Sequence, residues 1–164
     1  MEFADILREV GSRKVRYVTV TGGEPLAQSD CLGLLKVLCD ASYQVSLETS
    51  GAMDTKGVDE RVSVVLDLKT PGSGESSRNL YTNLSELKLM DQVKFVICNR
   101  EDYEWARFKI EEYAIREKVS ELLFSASHAE LESSQLAKWI LEDELDVRLQ
   151  IQLHKHLWGD KPGV

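Results

Sequence analysis

The sequence predicts an α/β protein, a partial (β/α) barrel with about six mostly parallel strands. Two observations carry this reading. Short β-branched runs alternate with stretches whose apolar residues recur every three or four positions. Glycine, proline and small polar residues gather where several of these runs end. Such alternation favours right-handed βα units with parallel strands.

The elements follow in order. Phe3, Leu7 and Val10 share one face of a short opening helix. Residues 15–21 (VRYVTVT), Gln44–Thr49 (QVSLET), 62–68 (VSVVLDL), 92–98 (QVKFVIC), Glu121–Ala126 (ELLFSA) and 147–153 (VRLQIQL) read as strands. Several are apolar on both faces, as strands covered on both sides should be. Cys31, Leu34, Leu35 and Leu38 fall at i, i+3, i+4 and i+7 of a helix. Tyr103, Ala106, Ile110, Ala114 and Val119 mark a longer helix, and Leu136, Trp139, Ile140 and Leu145 another. Asp30 and Ser133 are expected N-caps, because their oxygens can accept amide protons at a helix start. No low-complexity linker interrupts the pattern, so residues 1–164 are expected to form a single domain.

Composition narrows the function. With 164 residues, 43% of them hydrophobic, the chain is long enough for a sizeable core; folding at this size removes roughly 68–70% of the unfolded surface from water. Twenty Lys and Arg against 28 Asp and Glu give a net charge of −8, a field that repels nucleic acid and anionic membrane, so neither is an expected partner. No apolar run approaches the roughly 18 residues of a membrane helix, and no basic-then-apolar leader follows Met1, so a cytoplasmic location is expected. Cys31, Cys39 and Cys98 are odd in number and lack zinc or iron–sulfur spacing, which reads as reduced core thiols with no metal role.

In parallel βα architectures ligands sit beyond the C-terminal strand ends. Four loops meet there: TGGEP (21–25), ETSG (48–51), DLKTPGSGE (67–75) and SASH (125–128). Gly22 and Gly23 let backbone approach a ligand closely, and Glu24 can meet a cationic group. Glu48, Asp67 and Lys69 add both signs of charge, which suits a zwitterion bearing a ribose better than a bare phosphate. His154 and His156, two apart, would point the same way on a strand, without an evident third metal ligand.

TGGEPL, ETSG, DLKTPGSGES, QVKFVI and QLHKHLWGDKPGV occur in this order, and together they resemble 7-carboxy-7-deazaguanine synthase over residues 15–164. That family of radical S-adenosylmethionine lyases serves queuosine and deazapurine biosynthesis. GGEP recurs across radical S-adenosylmethionine enzymes; DLKTPGSGE with the QLHKHLWGDKPGV tail is far more specific. The resemblance implies a partial barrel of the radical S-adenosylmethionine type. Its cofactor contacts would be Gly22, Gly23 and Glu24 at the methionine end, Glu48 and Ser50 beside them, then Asp67, Leu68, Lys69, Phe124, Ser125, Ala126 and Ser127. Thr21, His154 and the carboxylate of Val164 resemble substrate contacts. The implied reaction converts 6-carboxy-5,6,7,8-tetrahydropterin to 7-carboxy-7-deazaguanine through a 5′-deoxyadenosyl radical and a Mg²⁺-assisted ring contraction that expels ammonia.

One departure is large. Family members carry, before the TGGEP strand, a first strand and a loop whose three cysteines hold a [4Fe–4S] cluster, together with residues that grip substrate and Mg²⁺. This sequence shows no such segment, so the cluster is not expected here. The chain is then expected to be inert alone, with no catalytic side chain of its own. Without the first strand, the 15–21 strand has a free edge, expected to pair in a homodimer or to be covered by the opening helix. A different radical S-adenosylmethionine enzyme such as a glycyl-radical activase would share GGEP, and a non-catalytic fold remnant or binding module would account for the missing cluster.

Overall fold

The computed structural model describes residues 2–128, 130–151 and 153–159, without the side chains of 154–156. The elements are α1 (Phe3–Ser12), β1 (Tyr17–Val20), α2 (Cys31–Asp40), β2 (Gln44–Thr49), β3 (Ser63–Asp67), β4 (Gln92–Ile97), α3 (Arg100–Glu112), β5 (Glu121–Ala126), α4 (Ser133–Glu142), β6 (Arg148–Gln150) and α5 (Leu153–Trp158). Six strands form one sheet in sequence order, and every neighbouring pair is parallel. This is the predicted α/β partial barrel. No α-helix joins β2 to β3 or β3 to β4; the second of these crossovers is built from the 3₁₀ turns Pro71–Ser73, Ser76–Arg78 and Tyr81–Ser85.

The sheet is one-sided. Val45 and Leu47, Val64 and Leu66, Val93, Phe95 and Ile97, and Leu122 and Phe124 alternate onto one face, where all are buried. Cys31, Leu35, Leu38 and Cys39 of α2 pack into the β1–β2 part of that core. Tyr103, Ala106 and Ile110 of α3 and Leu136 and Ile140 of α4 pack into the β3–β5 part. Phe95 meets Phe124 edge-on at a centroid distance of 5.5 Å, and Tyr103 meets Phe124 at 5.7 Å. Each such side chain taken out of water contributes about 1.5–3 kcal/mol.

The opposite face is mostly polar. Thr19, Ser46, Glu48, Asp67, Lys94, Ser125 and Gln150 alternate with the core positions, joined by Val65, Val96 and Leu123. The expectation of strands apolar on both faces is therefore corrected, except at β5, where Leu123 is also buried. The polar face looks into the barrel, while α2, α3 and α4 pack their apolar residues into the core on the other face.

Several boundaries differ from the sequence reading. β1, β3, β4 and β6 are shorter than expected: pairing covers Tyr17–Val20, Ser63–Asp67, Gln92–Ile97 and Arg148–Gln150. α3 ends at Glu112, since Ala114 turns left-handed at φ 47°; Val119 lies beyond it but is still buried. Neither Asp30 nor the α4 start carries a side-chain cap. Asn99 caps α3 instead, accepting the Asp102 amide at 2.9 Å. The 153–158 stretch is helical, so strand alternation does not relate His154 to His156. β1 has no strand beyond it among the described residues, and α1 rests on α2, with the Phe3 ring over Gly33. Tyr17 is 70% exposed, so α1 does not cover β1 there.

Candidate functional site

The first loop leaves β1 with two residues in the left-handed region, Gly22 at φ 101° and Gly23 at φ 53°. A side chain at either position would meet no atom within 4 Å. The constraint is thus the backbone conformation, which non-glycine residues adopt at a cost, and the open space is available to a ligand.

Glu24 turns back into the protein. Its carboxylate accepts the Thr49 hydroxyl at 2.9 Å to each oxygen, the Ser50 amide at 2.8 Å, the Ser50 hydroxyl, and the Leu26 amide at 3.1 Å. Burial raises its pKa, but the bonds from Ser50, Thr49 and Leu26 together outweigh burial and hold the carboxyl below its usual range. Glu24 thereby ties the first loop to the second.

The second loop is held from the other side. Asn83, fully buried, accepts the Thr55 amide at 3.1 Å and donates to the Met53 carbonyl at 2.8 Å. In the third loop the Lys69 ammonium lies 2.9 Å from Asp67, whose second oxygen is buried without a hydrogen bond among the described residues. Asn79 brackets the Lys69 backbone, accepting its amide at 2.9 Å and donating to its carbonyl at 2.8 Å.

Between these three loops lies a cleft of about 210 Å³ lined by Glu24, Ala27, Ser50, Ala52, Met53, Lys69, Glu75 and Arg78. It joins three expected site residues, Glu24, Ser50 and Lys69. Ala27, Ala52, Met53 and Arg78 carry no motif that would single them out in the sequence; chain folding alone brings them to the rim. On the sheet, Asp67 sits beside Lys94 in register, and Lys94 reaches Glu48 at 4.0 Å.

Other expected residues lie apart from the cleft. Leu68 and Phe124 are fully buried in the core, leaving their backbone as the part able to meet a ligand. Ser125 faces the barrel interior on β5, with β4 between it and β3, and is followed by Ala126; Ser127 donates its hydroxyl to Glu130. Thr21 is exposed at the end of β1. The side chain of His154 and all of Val164 lie outside the described residues.

The thiols do not converge. Cys31 and Cys39 are buried on α2, and Cys98 follows β4. Burial, with Glu130 and Asp102 nearby, pushes the Cys98 thiol up to about 12. These three cysteines do not fit a shared iron–sulfur cluster, and no group of three or more His, Cys, Asp or Glu residues suited to a metal ion occurs among the described residues. No helix among them is long and apolar enough to cross a membrane.

No family model matches the chain. It is 40% identical over 169 residues to the 7-carboxy-7-deazaguanine synthase of Chlorobaculum tepidum, covering all of this chain and 76% of that protein. The synthase of Koribacter versatilis is 39% identical, with 86% of this chain and 68% of that protein covered. That of Methanospirillum hungatei is 34% identical, with 96% and 65% covered. Among solved structures, Streptococcus suis SuiB bound to S-adenosylmethionine superposes with a TM-score of 0.63 at 15% identity, over 93% of this chain and 42% of that one. Another SuiB crystal structure gives 0.60 at 14% identity, over 90% and 42%. At such identity these two speak for the fold alone.

Proposed function

We propose, for a chain that belongs to the 7-carboxy-7-deazaguanine synthase family, that its loop rim binds S-adenosylmethionine and serves the conversion of 6-carboxy-5,6,7,8-tetrahydropterin to 7-carboxy-7-deazaguanine. The observation that carries this reading is the GGEP turn: two left-handed glycines face open space while Glu24 locks the turn against Ser50 beside a cleft with charged and apolar walls. The Gly22–Gly23 backbone has room for the methionine amino group. Lys69 and Arg78, on the cleft wall, oppose a carboxylate, and Met53 and Ala52 give apolar contact to the methionine chain. S-adenosylmethionine supplies the 5′-deoxyadenosyl group of the family's reaction when bound.

The pterin would take the barrel interior, where Glu48, Asp67 and Lys94 offer both signs of charge to a ring rich in donors and acceptors. Cys31, Cys39 and Cys98 do not make a cluster site, so no electron-transfer step is assigned to them, and on this reading the chain alone binds S-adenosylmethionine without cleaving it. A second copy would pair along β1, whose outer edge has no strand partner among the described residues. Calorimetric titration with S-adenosylmethionine tests the central claim. Saturable binding that Gly23→Val abolishes supports it; no heat from the wild-type chain overturns it.

A further inference from the structure

We infer that Asp102 is a positioning residue: from the first turn of α3 it fixes the 69–75 loop, and so sets where Lys69 stands at the cleft. Asp102 is 1% exposed. Its Oδ1 accepts the Gly72 amide at 2.8 Å. Its Oδ2 accepts the Cys98 amide at 3.0 Å and lies 3.0 Å from the Thr70 hydroxyl, which shares its one proton with the Val96 carbonyl at 2.8 Å. One buried carboxylate thus joins the Gly72 amide and the Thr70 hydroxyl of the loop to the Cys98 amide at the end of β4.

The approach is close. A Cβ on Gly72 would stand 2.5 Å from Asp102 Oδ2 and 3.0 Å from the Cys98 Cβ, so the loop lies against the carboxylate as only glycine permits. Asn79 grips the Lys69 backbone from the opposite side. The lysine therefore projects from a segment held at 69, 70 and 72, while neither Asn79 nor Asp102 lines the cleft. A carboxylate suits this place because it accepts at both oxygens; an amide of equal shape must turn N–H groups toward one of the donors.

The functional half of this inference rests on the S-adenosylmethionine reading; the structural half does not. The test uses the full chain with Asp102→Asn, Asp102→Ala, Gly72→Ala and the Gly72→Ala/Asp102→Ala double variant. Asp102→Asn should speed amide exchange of residues 70, 72–74 and 98 about tenfold, leave β2 and α2 unchanged, and move the Lys69 ε-methylene resonances toward those of free lysine. S-adenosylmethionine affinity should fall about tenfold, the worth of one charge-assisted bond. Gly72→Ala should loosen the same residues in the wild-type chain and much less in Asp102→Ala, where the clashing oxygen is gone. Unchanged loop exchange and Lys69 resonances in Asp102→Asn would overturn the inference, as would uniform acceleration of every amide. If Asp102→Asn does not fold, additive effects of Gly72→Ala and Asp102→Ala would overturn it. A wild-type chain that shows no S-adenosylmethionine binding removes the proposed function, while the exchange and resonance measurements still decide the role of Asp102.

Discussion

Ser50 donates both its amide, at 2.8 Å, and its hydroxyl to one oxygen of Glu24, 26 residues earlier in the chain. The glutamate of the GGEP turn is thereby committed to a contact between loops. Glu24→Ala leaves the Ser50 and Leu26 amides without their acceptor, and each partly buried donor so stranded costs about 1–3 kcal/mol. Urea unfolding should show a loss of about 2–6 kcal/mol for the two donors together, with weaker S-adenosylmethionine binding. A variant as stable as the wild type would mean that water replaces the carboxylate without loss.

The same carboxylate gives a pH dependence with a defined sign. Its pKa is lowered in the folded chain from the ordinary value of 4.5. Its contribution to stability is thus present above that value and lost as pH falls through the lower folded-state value. Thermal midpoints measured from neutral pH downward should fall below pH 4.5 more gently in Glu24→Gln than in the wild type, because the variant has no such proton to take up. Parallel curves would assign the acid loss to other carboxylates.

Gly23 separates conformation from space. With φ at 53° and no atom within 4 Å of the place a Cβ would take, Gly23→Ala should cost about 1–2 kcal/mol of stability through the backbone alone. Calorimetry on the same variant should show a disproportionate loss of S-adenosylmethionine affinity, since the added methyl enters the open space. Binding equal to wild type would move the ligand away from this turn.

Lys94 and Phe95 are neighbours in β4 that face opposite sides of the sheet. Phe95→Ala empties the middle of the aromatic cluster and should cost about 3–5 kcal/mol. Lys94→Ala gives up a 4.0 Å pairing with Glu48, worth about 1 kcal/mol or less, and should act on ligand binding instead. Chemical unfolding of the two variants side by side checks the division.

Much of the fold is legible in the sequence because its signals are local. Short apolar runs, β-branched in all but Glu121–Ala126, mark the six strands, and Gln44–Thr49 and Glu121–Ala126 match to the residue. GGEP announces a turn with left-handed glycines. What stays hidden depends on distant partners. Asn79, Asn83 and Asp102 look like ordinary polar residues of turns and a helix start, yet they bond backbone or hydroxyl groups 10, 28 to 32, and 30 to 32 residues away. The 153–158 stretch misleads because Leu153 and Leu157, four apart, fit a helix as well as LQIQL fits a strand. Glu24 reads from its motif as a group free to meet a ligand, since nothing local shows that Thr49 and Ser50 stand beside it.

The alternation of the strands has a consequence for how such a protein can diverge. In the inner strands, residues that hold the chain together and residues that face a ligand interleave one by one, as in Leu66 and Asp67 or Lys94 and Phe95. A substitution at one parity can retune recognition and leave the fold's stability nearly untouched, whereas a slip of a single residue in register would exchange the two sets at every position of that strand. Descendants of this sequence can therefore accumulate new interior chemistry by point replacement, but an insertion or deletion within a strand has no such path and is confined to the connecting loops.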